Sequence, residues 1–97
     1  MNSYILIMPD EKLARAIRSK IRRDILHILY QREKVSVHEI AKQLNITESS
    51  ASKHLKLLYD LGFVNFENKP PEKFYFLKIK EIRELFKVYD KIVKKLK

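Results

Sequence analysis

Hydrophobic residues recur at helical spacing along most of the chain. Pro9 opens a first short helix, with Asp10 and Glu11 in its first turn. This helix is predicted to end near Arg18, and Ser19 is placed to cap a second one. Three apolar stripes then follow with intervals of three or four residues, the spacing of helices that bury one face. Their members are Ile21, Ile25, Ile28 and Leu29; Val37, Ile40, Ala41 and Leu44; and Ala51, Leu55 and Leu58.

Polar residues between the stripes mark where the central helices begin and end. Ser36 and Glu39 stand three apart, the spacing of a capping box, so a helix is predicted to begin at Ser36. After a tight connection, Thr47 is predicted to cap the next helix. Gly62 suits the left-handed backbone position that ends a helix. Two helices joined by so short a turn indicate a helix-turn-helix motif over residues 36–61.

The hydrophobic period changes to two after Gly62, which predicts strands. The stretches "FVNFEN" and "KFYFLK" flank the turn "KPPE", so residues 63–78 should form a hairpin. Its tip carries Pro70 and Pro71, where no ladder hydrogen bond is lost. Residues 79–97 return to a helical period. The predicted fold is one domain over residues 1–97, mainly α with a small β-hairpin, arranged as a winged helix-turn-helix with further helices at both ends.

The charge balance of the chain is strongly basic. Lys and Arg number 21 against 12 Asp and Glu, for a formal net charge of +9. This excess indicates a polyanionic partner, double-stranded DNA before an anionic membrane surface, although a merely solvated basic surface is the alternative. The longest apolar run, Tyr4–Met8, is too short for a membrane span or a secretory signal. With no cysteine present, we expect a cytoplasmic protein without disulfides.

The helix after the short turn opens with small hydroxyl side chains, in the stretch "TESSASKHLKLL". In a helix-turn-helix the second helix lies in the major groove, and its first residues meet base edges. Ser49, Ser50 and Ser52 are short enough to let the backbone approach the bases. Lys53 and Lys56 add charge for phosphates. The alternative is that the serines only cap the helix and face solvent.

Two neighbours on the same helix have two interpretations each. Glu48 either accepts a hydrogen bond from a cytosine amino group or only stabilises the helix start. His54 either reads a base or packs as a partly buried residue.

Basic residues outside this helix extend the predicted DNA surface. Lys69 and Lys73 flank the hairpin tip and either reach the adjacent minor groove and backbone or remain solvated. Arg22 belongs to a basic cluster that either approaches phosphates or forms surface salt bridges. The complete set of predicted DNA-binding residues is Thr47, Glu48, Ser49, Ser50, Ser52, Lys53, His54, Lys56, Lys69, Lys73 and Arg22.

Apolar residues near both ends exceed what one small domain buries. We expect residues 1–18 and 79–97 to form a homodimer interface, because small domains gain stability by pairing; burial in the chain's own core is the alternative. The predicted interface residues are Tyr4, Ile5, Leu6, Leu13, Ile17, Ile82, Leu85, Phe86, Tyr89, Ile92, Val93 and Leu96.

The stretches "SKIRRDILHIL", "VSVHEIAKQLNITESSASKHLKLLYDLGFV" and "KFYFL" together resemble the ArsR-type winged helix-turn-helix repressors. The run from Ser50 to Val64 is the most specific part, and it is shared in part with MarR-like regulators. The resemblance implies a homodimer that binds a pseudo-palindromic operator and represses transcription. It also implies dimerisation through the first and last helices.

Metal sensing of the kind found in many ArsR-type proteins is not expected. The positions that match the family's sensing cysteines are Ser36 and His38, and the last helix has no histidine. The three histidines of the chain lack metal-ligand spacing. We therefore expect no metal and no cofactor, and the sequence does not identify an effector.

An enzyme is the least favoured class of protein for this sequence. One glycine leaves no phosphate-cradling loop, and no nucleophile stands with a suitable base. The alternatives to a sequence-specific regulator are a winged-helix protein–protein interaction module and a non-specific architectural DNA binder. The basic, serine-rich face favours DNA, because a protein-docking face would expose aromatic or aliphatic side chains.

Overall fold

The computed structural model describes residues 9–97, so the predicted interface residues Tyr4, Ile5 and Leu6 lie outside the described part of the chain. None of the helices within residues 9–97 is long and apolar enough to cross a membrane. The elements in chain order are α1 (Pro9–Arg18), α2 (Lys20–Gln31), β1 (Val35–Ser36), α3 (Val37–Leu44), α4 (Glu48–Asp60), β2 (Val64–Lys69), β3 (Glu72–Leu77) and α5 (Ile82–Leu96).

The predicted helix caps are confirmed. Ser19, Ser36 and Thr47 each accept a hydrogen bond from the backbone N–H three residues later, at 3.3, 3.1 and 3.0 Å. Each bond satisfies one of the amides that a helix start leaves without an internal partner. Gly62 has φ +94°, the left-handed conformation expected after α4. The carboxylate of Glu39 lies 3.8 Å from a guanidinium nitrogen of Arg32, so it pairs with that side chain.

The predicted hairpin is confirmed and belongs to a three-stranded antiparallel sheet with the order β1-β3-β2. Val64 pairs with Leu77 at the base of the hairpin, and Lys69 pairs with Glu72 at its tip. Strand β1 was not predicted. It is only two residues long, too short to show a period, and it forms because Val35 meets Tyr75 in the completed fold.

The core lies where α2, α3 and α4 pack against the sheet. The three stripes predicted to be buried supply most of it, although Ile21, Val37 and Leu44 are only half-buried. The residues with no solvent exposure are Ala16, Ile25, Leu26, Leu29, Ile40, Ala51, Leu55, Leu58 and Val64. Helix α4 is thus seated on a continuous apolar base.

Helix α5 packs on α2, which corrects two predicted dimer residues. Ile82 and Phe86 are 3% and 1% exposed within the single chain, so they belong to its own core. The His27 and Phe86 rings meet edge to face at a centroid distance of 4.4 Å. One turn further on, His27 Nε2 lies 2.9 Å from a carboxylate oxygen of Asp90. The first half of α5 is therefore fixed to its own domain.

Candidate nucleic-acid interface

Helix α4 turns a polar face outward from a fully buried base. Ala51, Leu55 and Leu58 have no solvent exposure, and they hold the helix on the core. The opposite side is formed by predicted DNA-binding residues, of which Ser50 is half-buried. Thr47, Glu48, Ser49, Ser52, Lys53 and Lys56 are all exposed. The structure thus brings most of the predicted set together on one accessible side of the helix.

The turn between α3 and α4 is closed by backbone hydrogen bonds. Asn45 takes the left-handed conformation with φ 55° and ψ 47°, which asparagine tolerates better than most residues. The Ile46 N–H donates to the Ala41 carbonyl oxygen at 3.0 Å. The Ile46 side chain packs against the core. These contacts fix the angle at which α4 leaves α3.

Glu48 is paired with His38 across the same turn. A carboxylate oxygen of Glu48 lies 2.9 Å from His38 Nδ1, and both side chains are well exposed. The hydrogen bond to Glu48, followed by the charge of that carboxylate, raises the pKa of His38. A protonated His38 offsets the negative charge that Glu48 brings to an otherwise basic face. This pairing favours the interpretation in which Glu48 supports the start of α4.

Arg22 makes contacts inside the chain that the sequence did not predict. Its Nε lies 3.2 Å from the carbonyl oxygens of both Arg15 and Ala16, and another guanidinium nitrogen donates to Arg15 at 2.7 Å. These bonds cap the C-terminus of α1. A third nitrogen lies 3.3 Å from His54 Nδ1. Arg22 therefore connects α1 with α4.

The surroundings of His54 favour the packing interpretation. Its side chain is half-buried beside Arg22. Burial, and then the positive charge of Arg22, lowers the pKa of His54. A neutral imidazole facing a guanidinium accepts a hydrogen bond through Nδ1.

The tip of the β2–β3 hairpin carries the predicted wing lysines. Lys69 and Lys73 are both exposed. The Lys73 ammonium lies 4.8 Å from the centre of the Phe66 ring, a cation–π contact that directs it toward α4. Near the middle of the hairpin, Lys34 pairs with Glu67 at 2.8 Å, so the acid of β2 is neutralised.

A cleft between α4 and the hairpin contains residues that the sequence did not assign to DNA. We name it the α4–wing cleft; it has a volume of about 320 Å³ and is lined by Val37, Ser52, Lys56, Tyr59, Phe66, Lys73 and Tyr75. The ring of Tyr59 packs on Phe66, although the residue is 44% exposed. Its position three residues after Lys56, on the same helix face, was the available signal.

The predicted dimer residues that the structure describes divide into three groups. Ile82 and Phe86 are buried, as given above. Leu13, Ile17, Leu85, Tyr89 and Val93 are half-buried. Ile92 and Leu96 are 54% and 79% exposed, and Val88, which was not predicted, is 54% exposed. Among the predicted interface residues that the structure describes, the most exposed thus lie on the second half of α5.

The described residues contain no group of three or more His, Cys, Asp or Glu side chains arranged to hold a metal ion. Each histidine has a different partner, which is Asp90 for His27, Glu48 for His38 and Arg22 for His54.

Comparison with known proteins gives concordant matches. The family described as "Bacterial regulatory protein, arsR family" matches residues 19–65. The arsenical resistance operon repressor of Bacillus subtilis (strain 168) is 30% identical over 80 residues, which cover 82% of this chain and 76% of that protein.

Solved structures share the fold over nearly the whole chain. HlyU from Vibrio cholerae is 25% identical with a TM-score of 0.80, over 95% of this chain and 97% of that one. The homodimeric winged helix-turn-helix DNA-binding domain Mb0332 from Mycobacterium bovis is 20% identical with a TM-score of 0.81, over 97% and 88% of the two chains. The predicted winged helix-turn-helix and the predicted class of transcriptional regulator are confirmed. The chain belongs to the ArsR family of bacterial regulatory proteins.

Proposed function

We propose that the chain is a homodimeric, sequence-specific DNA-binding repressor that places the start of α4 in the major groove. The observation that carries the proposal is the two-sided character of α4. Ala51, Leu55 and Leu58 are fully buried, while Ser49, Ser52 and Lys53 are exposed on the other side. Short hydroxyl side chains accept and donate hydrogen bonds at base edges, and the lysine adds attraction to the phosphates.

The exposed apolar residues of α5 support self-association. Val88, Ile92 and Leu96 follow at intervals of four, so they form one stripe along the helix. An apolar stripe of this kind on a 97-residue protein is expected to find a cover. We propose that a second copy covers it, in line with the homodimeric state named for Mb0332. Two-fold symmetry would then present two α4 helices about 34 Å apart, one helical turn of DNA.

We propose that the dimer represses transcription by occupying a promoter. A dimer seated on two successive major grooves of a promoter excludes other proteins from the same stretch of duplex. The relative in Bacillus subtilis is named as an operon repressor, which supports this direction of regulation.

The decisive experiment is selection of bound duplexes from a random pool at moderate salt. We expect enrichment of a pseudo-palindrome whose half-sites are centred about 10 base pairs apart, matching two copies of α4. Recovery of no motif despite DNA binding would identify a non-specific architectural binder instead. Absence of DNA binding at low salt would leave the protein–protein interaction module.

Single substitutions then locate the reading helix. Ser52→Ala and Lys53→Ala should each weaken binding to the selected operator, Lys53→Ala more strongly as salt is lowered. Lys78→Ala is the matched control, because Lys78 is an equally exposed lysine beyond the base of the hairpin, at the end opposite the tip. If both α4 variants bound the operator as the unaltered protein does, α4 would not be the reading helix.

A further inference from the structure

The α4–wing cleft is rich in hydrogen-bond donors. Lys56 and Lys73 contribute ammonium groups, Tyr59 and Tyr75 contribute phenol hydroxyls, and Ser52 contributes a hydroxyl. One of these donors is already paired with an acid, since the Asp60 carboxylate lies 3.1 Å from Lys56 Nζ. An ammonium has three N–H groups, so this pair leaves two of them for another acceptor.

The Phe66 ring packs against three of these donor side chains. The ring of Phe66 lies 5.3 Å from that of Tyr59 and 5.3 Å from that of Tyr75, between centroids. The Lys73 ammonium sits over the same Phe66 ring at 4.8 Å. Ring packing restricts the rotamers of Tyr59, Tyr75 and Lys73, so a ligand in the cleft loses little entropy in ordering these three side chains.

The polar groups of the cleft share one electrostatic environment. Tyr75 is only 5% exposed, and burial raises the pKa of its hydroxyl. The Lys56 ammonium opposes that shift and the neighbouring Tyr59 adds to it, so α4 and β3 both act on this hydroxyl. Neutral phenols beside cations form a site that donates to an anion, because none of these groups is a charged acceptor.

We propose that the α4–wing cleft binds one phosphodiester of the DNA backbone, with the Tyr59 hydroxyl donating to a phosphate oxygen between Lys56 and Lys73. The proposal rests on the proposed function, because it requires DNA to lie across α4 and the wing. A duplex that passes from the recognition helix to the hairpin tip brings its backbone over this cleft. A contact of this kind fixes the register of the protein without reading a base.

Tyr59→Phe tests the hydroxyl, because it removes one oxygen and keeps the ring on Phe66. A hydrogen bond to a charged group corresponds to about a tenfold change in affinity, so a dimer with two clefts should bind the operator up to about a hundredfold more weakly. The slope of log affinity against log salt should not change, because a neutral donor releases no counterion. The matched control is Tyr30→Phe, on α2 and outside the cleft, which should bind normally.

Chemical changes in the DNA identify the phosphate. One phosphodiester of the operator at a time is replaced by an uncharged methylphosphonate. We expect the replacement at one position in each half-site to weaken binding of the unaltered protein. The same replacement should have a clearly smaller effect on the Tyr59→Phe variant, because the interaction is already lost.

Three outcomes would overturn the proposal while leaving the proposed function standing. The first is operator binding by Tyr59→Phe that equals that of the unaltered protein. The second is an equal effect of every methylphosphonate on both proteins. The third is saturable binding of inorganic phosphate without DNA that Tyr59→Phe abolishes while operator affinity is unchanged, which would make the cleft a site for a free anion. Failure of the unaltered protein to bind any duplex would instead defeat the proposed function.

Discussion

Salt dependence provides the sharpest quantitative test of the DNA-binding surface. Each protomer exposes four lysines on α4 and the wing tip, which are Lys53, Lys56, Lys69 and Lys73. A dimer therefore offers eight such cations to the phosphates. Each neutralised phosphate contributes about −0.9 to the slope of log affinity against log salt, so the expected slope is about −7. Between about 50 and about 200 mM salt, affinity should fall by about 10⁴.

The perturbation is Lys53→Gln, which keeps a polar side chain only one bond shorter but removes its charge. One contact disappears from each half-site, so the slope should change from about −7 to about −5. The loss of affinity between about 50 and about 200 mM salt should then shrink to about 10³. Fluorescence anisotropy of a labelled operator, titrated at several salt concentrations, measures these slopes directly.

Lys78→Gln is the control for a general loss of positive charge. Lys78 follows β3, five residues after Lys73, which is about 17 Å in an extended strand. It carries the same charge on the same wing but lies away from the tip. Its slope should equal that of the unaltered protein. Equal slopes for Lys53→Gln and the unaltered protein, or an equal reduction in the control, would refute the assignment of phosphate contacts to α4.

The remaining predictions concern stability, pH and assembly. Leu55→Ala removes most of a fully buried side chain of α4 and should lower the free energy of unfolding in urea by about 2–5 kcal/mol. The control Lys56→Ala, at the next position, should have little effect. Equal losses of stability in the two variants would contradict the burial of Leu55. Glu48 raises the pKa of His38 above its ordinary value. The ion pair between the two side chains is therefore complete at lower pH, and its stabilisation of the start of α4 is lost as pH rises through the raised pKa. As pH rises through this range, operator affinity should therefore fall more for the unaltered protein than for His38→Gln. Identical pH profiles of the two proteins would count against the His38–Glu48 ion pair. Ile92→Asp should shift sedimentation toward monomer at micromolar concentration, and an unchanged dimer would remove α5 from the interface.

Features controlled by a few neighbouring residues could be predicted from the sequence. The caps at Ser19, Ser36 and Thr47 each depend on an amide three residues away, and the structure contains all three. The end of α4 at Gly62 depends on the backbone freedom of that residue alone. The buried stripe of α4 could be predicted as well, because a helix with one apolar side must turn that side inward.

Features that join distant segments could not be predicted in this way. Arg22 reaches His54, 32 residues later, and the carbonyl end of α1, so a residue assigned to phosphate proved to connect two helices. Tyr59 reaches Phe66 only because the hairpin folds back over α4. Strand β1 exists only because β3 has an open edge beside it.

The last helix, α5, shows most clearly which features the sequence determined and which the tertiary structure decided. Its sequence determined an amphipathic helix with apolar residues at regular intervals, and nothing in that pattern distinguishes Phe86 from Ile92. The tertiary structure decided that Phe86 is 1% exposed, against the His27 ring, and that Ile92 is 54% exposed. The physical reason is that periodicity fixes which side of a helix is apolar, whereas burial at each position depends on what the rest of the chain places against it.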